Sequence, residues 1–127
     1  MIIVLIHWRI KPTPEDEQAF LTWWKNDAPI NDKCNLIGEF LSAPMPAKDF
    51  KFAVNDLSAR TDEPAHKAFI NVGLWKDWES FFEEVGHNFN DDNPPKPFEA
   101  ARRTRTILSP EEWRRGDFNL SNTSTCP

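Results

Sequence analysis

Three histidines are the residues of this 127-residue chain whose type best suits proton transfer near neutral pH. His7 is the best candidate general base, because it falls inside an apolar run typical of a strand and the unperturbed imidazole pKa is about 6.5. The alternative is a hydrogen-bonded structural histidine. His87 follows a predicted helix end and is the second candidate, with a solvated imidazole near the helix C-terminus as its alternative. His66, in a turn-rich stretch, is a weaker candidate.

Asn71 and Trp75 share one side of a predicted strand, and Gly73 lies between them. Because glycine has no side chain, the space above it suits a ligand or a closely packed neighbouring side chain. The chain also has six Trp, ten Phe and no Tyr, which is more large rings than one small core ordinarily holds. We therefore expect some of them to line a pocket or a subunit interface, with simple core packing as the alternative for each ring.

Metal, covalent and phosphate chemistry lack their usual residue patterns. His87, Asp91 and Asp92 are closely spaced, but a polar loop explains them, so no metal site is predicted. Cys34 has no activating neighbour in the sequence and forms no Cys-x-x-C motif with Cys126, although a disulfide between the two stays open. The four glycines form neither a phosphate-binding loop nor a nucleophile elbow.

The charge pattern argues against a nucleic-acid partner. The formal net charge is −5, whereas nucleic-acid binders carry a basic face or stripe. The one local basic run is Arg102, Arg103 and Arg105, which we expect to form surface or interface ion pairs, or else to anchor an acidic group of a ligand. The apolar residues 1–6 are too few for a membrane span and have the wrong flanks for a signal peptide, so we expect a cytoplasmic protein without a membrane partner.

The elements that position these residues begin with a predicted first strand over Ile2 to Ile10. Thr13 as N-cap, followed by Pro14 and then acidic residues, predicts the start of a helix. The apolar stripe of this helix consists of Ala19, Phe20, Trp23 and Trp24. We expect that stripe to pack against a sheet.

A second strand is predicted over Leu36 to Ala43, with a bulge or a close approach at Gly38. The stretch 44–64 is too long for a tight hairpin. It is either a functional lid or interface arm, or a solvated excursion that contains a short edge strand over Phe50 to Val54.

Residues 68–86 predict a strand that runs directly into an amphipathic helix. Asp77 is the predicted N-cap and Gly86 the predicted helix end. The apolar positions of this helix are Trp78, Phe81, Phe82 and Val85. A fourth strand is predicted within residues 98–108, and the Ser-Pro-Glu-Glu sequence that follows predicts a short helical turn carrying Trp113.

The order β-α-β-β-α-β is that of the ferredoxin-like α+β class, with an antiparallel sheet and both helices on one face. Residues 1–108 are expected to form this single domain, and residues 109–127 a C-terminal turn and tail that pack on a partner subunit. Ile70, Val72 and Leu74 would lie on the face without helices and need a cover. A second copy of the chain is the simplest cover, so we predict a homodimer.

The segment INVGLWKDWESFFEEVG resembles the strand-three and helix-two region of antibiotic-biosynthesis monooxygenase-like proteins, which are dimeric α/β barrels. The resemblance implies a pocket between sheet and helices. By position in the predicted elements, its lining would include His7, Trp8, Phe20, Trp24, Asn71 and Trp75. His7 or His87 would be the catalytic base, and the other five residues would bind the substrate.

Members of this superfamily include cofactor-free monooxygenases of flat aromatic compounds and haem-degrading relatives. The haem-degrading relatives use an Asn on strand one, a Trp at the end of strand three and a His soon after. Trp75 matches that Trp and His87 lies near the position of the His, but strand one carries His7 and Trp8 where the Asn would stand. That departure argues against haem degradation.

Two functions follow as hypotheses. The first is cofactor-independent oxygenation of an aromatic small molecule that can itself pass an electron to oxygen, with no metal and no cofactor. The alternative is a non-catalytic ligand-binding or stress-related module of the same fold, which uses its tryptophans for packing.

Overall fold

A computed structural model describes residues 1–28, 30–46, 51, 53–57 and 65–117. Its four strands are β1 (Ile2–Ile10), β2 (Leu36–Ser42), β3 (Lys67–Trp75) and β4 (Glu99–Leu108). They form one sheet in the order β2-β3-β1-β4, and every neighbouring pair is antiparallel. This is the predicted ferredoxin-like topology, in which the first and third strands are central.

The first helix, α1 (Pro14–Asn26), starts where the capping residues predict. The Thr13 hydroxyl accepts a hydrogen bond from the Asp16 amide at 3.1 Å, and Pro14 occupies the first turn. Of the predicted apolar stripe, Phe20 is fully buried and the two tryptophans are half-buried, whereas Ala19 is exposed. The stripe therefore packs on the sheet mainly through its rings.

The second helix begins as predicted but changes geometry after one turn. Asp77 caps α2 (Trp78–Phe81), since its carboxylate accepts the Ser80 amide at 2.8 Å, and the Ser80 hydrogen bonds lower the pKa of Asp77. The chain then widens into a π-helical segment, Phe82–Gly86. Phe81 and Val85 are buried, whereas Trp78 and Phe82 are exposed, so the predicted apolar residues do not form one buried stripe.

The sheet has an inner face covered by the helices and an outer face without them. Side chains alternate between the two faces along the central strands, as expected for extended backbone. The buried residues on the inner face are Val4, Ile6, Trp8 and Ile10 of β1 and Phe69, Asn71, Gly73 and Trp75 of β3. The outer face carries the apolar side chains of Ile3, Leu5, Phe40, Ile70, Val72, Leu74 and Leu108. All of them are half-buried or exposed.

One local prediction is wrong, one of the two alternatives for Gly38 is confirmed, and the strand predicted over residues 50–54 is not formed at the positions that the structure describes. Residues 109–116 form no helical turn, and Trp113 is 74% exposed, because so short a helix needs tertiary packing to offset its nucleation cost. The sequence predicted either a bulge or a close approach at Gly38. The register shift between Leu36 and Gly38 is that bulge. For the strand predicted over residues 50–54, positions 50 and 52 are outside the described residues, and the other three are not in a strand.

Candidate functional site

The inner face of the sheet, together with α1 and the π-helical segment, encloses an apolar cavity. Four tryptophans contribute to its wall, namely Trp8, Trp23, Trp24 and Trp75. The remaining lining residues are Val4, Ile6, Ala28, Ile30, Glu39, Asn71, Phe81, Val85 and Phe89. The cavity has a volume of about 30 Å³, close to the share of one water molecule in the liquid.

A polar bridge crosses one wall of this apolar space. Trp24 Nε1 donates a hydrogen bond to Asn71 Oδ1 at 2.9 Å, and Asn71 is 2% exposed. An indole N–H can only donate, so the amide atom of Asn71 that faces Trp24 is the oxygen. The NH₂ group of Asn71 therefore points away from Trp24. The Asn71 side chain also lies close enough to the Glu39 carboxyl to lower its pKa. The bridge therefore runs from Trp24 through Asn71 to Glu39.

Glu39 is the one ionisable residue among the described residues that line the cavity. It lies on β2 opposite Gly73, on the inner face of the sheet. Burial raises the pKa of the Glu39 carboxyl above its usual value of 4.5, while the Asn71 side chain and the charge of Lys33 act in the opposite direction. A carboxyl with a raised pKa in a cleft is a candidate for proton transfer.

The cavity adjoins a recess on the protein surface. The recess has a volume of about 180 Å³ and is lined by Trp24, Lys25, Asn26, Ala28, Ile30, Lys33 and Glu39. Four of these residues, Trp24, Ala28, Ile30 and Glu39, also line the cavity. The Glu39 side chain is therefore shared between a mostly buried apolar cavity and a basic recess at the surface.

Neither histidine proposed as a base lines the cavity. His7 is paired with Ile70 and Thr104 on the outer face, and its ring lies 6.3 Å from that of His66, edge to face. The sequence placed His7 in the pocket, but the strict alternation of side chains in β1 puts it on the other side of the sheet. His87 is exposed at the end of the π-helical segment, where its ring lies 5.7 Å from Phe82.

Of the five predicted substrate-binding residues, four line the cavity. These are Trp8, Trp24, Asn71 and Trp75. Phe20 instead is fully buried in the core, where its ring packs within 5.0–5.5 Å of the rings of Trp8, Phe69 and Phe98. The space above Gly73 is taken by a side chain, because a Cβ built there would lie 3.2 Å from Trp75 Nε1.

The three arginines of β4 bind the loop between the π-helical segment and β4. Arg102 donates to the carbonyls of Asp91 and Asn93, and Arg105 to the carbonyl of Phe89. Arg103 is buried, at 1% exposure, whereas the sequence predicted surface or interface ion pairs for these arginines. It pairs with Glu99 at 2.8 Å and lies 4.0 Å from the centre of the Phe89 ring. All three arginines are therefore bound to groups of their own chain.

Sequence reasoning missed Glu39, Trp23 and Phe89 as cavity residues. Trp23 stood in the predicted apolar stripe of α1, which was one available signal. The position of Glu39 was a second available signal, because a carboxylate flanked by apolar residues within a strand is unusual. Phe89 lies in a polar loop, and only the tertiary structure brings its ring within 5.5 Å of Trp23.

No cluster of three or more potential metal ligands occurs among the described residues. Cys34 is exposed, and Cys126 lies outside the described residues, so their pairing is not tested. In the part of the chain that the structure describes, no helix combines the length and the apolar character needed to cross a membrane.

Comparison with known proteins supports the fold. No protein-family model matches the sequence, and no curated protein matches it. Among solved structures, the chain is similar to a crystal structure of an arginine-to-serine mutant of MhuD with two manganese protoporphyrin IX molecules bound per active site. The similarity covers 91% of this chain and 100% of that chain, with a TM-score of 0.50 and 14% sequence identity. It confirms the predicted ferredoxin-like fold, and identity this low shows the fold alone.

Proposed function

We propose that this protein binds a flat aromatic small molecule at the tryptophan-lined cavity and oxygenates it without a cofactor. The observation that carries the proposal is an enclosed wall of four indoles that contains a single carboxyl and amide pair. Mostly apolar sites with a few placed polar groups are typical of small-molecule binding. Exclusion of water from such a site would also protect a reactive substrate anion while it passes an electron to oxygen.

The ligand site in this proposal comprises the cavity and the adjoining recess. A cavity of about 30 Å³ does not admit an aromatic ring, whereas the neighbouring recess of about 180 Å³ is open to solvent. Among the described residues, those that line both spaces are Trp24, Ala28, Ile30 and Glu39. Movement of these side chains would join them into one site.

One of the residues that line the cavity also carries an unsatisfied donor. Trp8 Nε1 is buried and has no hydrogen-bond partner within the described residues. A buried donor without a partner costs free energy, which an acceptor on a bound molecule would recover. A ligand with a hydroxyl group toward Glu39 and an acceptor toward Trp8 would match both polar groups of the site.

We expect para-nitrophenol, a flat ring with a donor and an acceptor, to bind the full chain and quench its tryptophan fluorescence. Trp24→Ala should weaken binding roughly tenfold, because it removes a ring contact of the ligand and one end of the polar bridge. The matched control is Trp113→Ala, which removes a ring that is 74% exposed and should leave affinity unchanged. Equal affinities for the two variants would contradict this location of the site.

The alternative function is a non-catalytic ligand-binding or stress-related module. The small volume of the cavity favours it, because an already packed site needs no substrate to explain its tryptophans. Oxygen uptake with an electron-rich naphthalenediol separates the two functions. Binding of the compound with no oxygen uptake above the rate of autoxidation would support the non-catalytic binding module. Titration with haem in the same assay tests porphyrin as the ligand.

A homodimer through the outer face of the sheet is part of the proposal. Seven apolar side chains on that face are half-buried or exposed, including Phe40 at 56% and Leu108 at 42%. A contiguous exposed apolar patch is a common mark of an interface. We expect light scattering at micromolar concentration to give twice the mass of 14.8 kDa, and Leu5→Lys to give the monomer mass. A monomeric wild-type chain would contradict the dimer.

Other features stay predictions from the sequence. These are the cytoplasmic location, the absence of nucleic-acid and membrane partners, and the packing of residues 109–127 on a partner subunit. Residues 118–127 lie outside the described part of the chain.

A further inference from the structure

We propose that Glu39 is the proton acceptor of the site and that the ligand is therefore an aromatic hydroxyl compound, whose proton leaves through the recess. This inference rests on the proposed function, because it names the group that acts on the bound ring and the ligand class that the group selects. It also replaces both histidines as the base, since His7 lies on the outer face and His87 is exposed.

The first support is the position of the carboxyl. Glu39 lines the mostly buried cavity and also the surface recess, whose wall includes the exposed Lys25 and Lys33. A group that exchanges protons between a ligand and water has to reach both, and Glu39 is the one ionisable residue of the described chain that lines both spaces.

The second support is the way the carboxyl is held. Trp24 directs the Asn71 amide through the 2.9 Å hydrogen bond, and the Asn71 side chain in turn lies beside the Glu39 carboxyl and favours its ionised form. An acceptor held in place by neighbouring groups loses little conformational entropy when it meets a ligand. The Asn71 amide lies beside the carboxylate, whose lone pairs are able to accept a ligand hydroxyl.

The third support is electrostatic. Burial raises the pKa of Glu39, which makes its carboxylate a stronger base than an exposed one. The charged groups that line the recess beside it are Lys25 on α1 and Lys33 in the segment before β2. Both are cations, and the charge of Lys33 opposes the effect of burial. These cations would keep Glu39 ionised while the recess is hydrated.

The step is a proton transfer with no change in oxidation state. The O–H bond of the ligand breaks, its electron pair stays on the ligand oxygen, and a new O–H bond forms on a carboxylate oxygen of Glu39. The proton then passes to water in the recess, which restores the carboxylate. The resulting phenolate is the electron-rich form of the ligand.

The experiment uses para-nitrophenol, whose phenolate absorbs in the visible range, and its methyl ether para-nitroanisole, which has no proton to give. Both are titrated into the full wild-type chain below the pKa of free nitrophenol. The same titrations use Glu39→Gln, with Glu39→Asp as a second variant and the exposed Glu111→Gln as the matched control. Circular dichroism and thermal melting establish that each variant is folded.

We expect wild type and Glu111→Gln to bind both compounds and to produce the phenolate band with nitrophenol. Glu39→Gln should bind nitrophenol roughly tenfold more weakly and lose the band, while its affinity for nitroanisole is unchanged. Glu39→Asp, with a shorter side chain, should retain part of the band.

Two results would overturn the inference, and they differ from each other. If both compounds bind and the band is the same in Glu39→Gln, Glu39 is not the acceptor, and the proposed binding function stands. If neither compound binds the wild-type chain, the proposed function fails and the inference fails with it.

Discussion

Glu99→Gln should lower the free energy of unfolding by about 3–5 kcal/mol, because it leaves the buried Arg103 guanidinium without its counter-charge. Both side chains of this pair are 0% exposed, and the Arg103 Nη1 atom lies 2.8 and 3.0 Å from the two carboxylate oxygens of Glu99. Gln keeps the shape of Glu, removes its charge and replaces one acceptor oxygen by an NH₂ donor. Urea denaturation of the two proteins measures the difference.

The surroundings of Arg103 explain why so large an effect is expected. Its Nε and Nη2 atoms have no hydrogen-bond partner among the described residues. The rings of Phe89 and Trp8, at 4.0 and 5.4 Å from the guanidinium carbon, supply cation–π attraction but no full charge. Glu99 is therefore the group that neutralises the cation, and solvent does not reach the pair to replace it.

A double variant is the control for this prediction. Glu99→Leu combined with Arg103→Met replaces the whole ion pair by apolar groups, and such replacements are often neutral or stabilising. The double variant should therefore be more stable than Glu99→Gln. If Glu99→Gln costs less than about 1 kcal/mol, in the range of an exposed pair, the pair is not desolvated in solution as it is in this structure.

Trp75→Ala should cost about 3–5 kcal/mol of stability, in the range of large-to-small substitutions of buried aromatic residues. Trp75 is 2% exposed at the end of β3, packs edge to face on Phe81 at 5.9 Å, and fills the space above Gly73. Alanine would leave a cavity at the point where the strand passes into α2.

Trp113→Ala is the matched control, since it deletes the same ring from a site that is 74% exposed. That change should alter stability by no more than about 0.5 kcal/mol. Urea denaturation of both variants makes the comparison. A similar loss for the two variants would mean that Trp75 is not the central packing residue that its burial indicates.

Local signals explain why much of the fold was predictable. The bounds of β1 agree with the apolar run at residues 2–10, and Thr13 and Asp77 cap helices as their positions predict. Each of these depends on a few neighbouring residues and the backbone. The turn predicted around Trp113 had the same local signals and did not form, because nothing in the described chain packs against it.

The candidate site was only partly predictable. Asn71 and Trp75 were correctly placed on one face, since alternation along a strand is a property of the chain itself. His7 was misplaced, because it was assigned to the pocket by residue type, although its parity in β1 puts it on the outer face. Glu39 was missed, because its role arises from a neighbouring strand and a distant helix.

By itself the sequence determined the order and polarity of the strand-to-helix units, the capping of both helices and the alternation that gives the sheet two different faces. Local hydrogen bonds and side-chain periodicity are sufficient for these. Only the tertiary structure decided which side chains meet: it joined Trp24, Asn71 and Glu39 from α1, β3 and β2, and it paired Glu99 with Arg103 away from solvent. Burial and hydrogen bonding across strands set the energies of these groups, and neither is encoded in the spacing of residues along the chain.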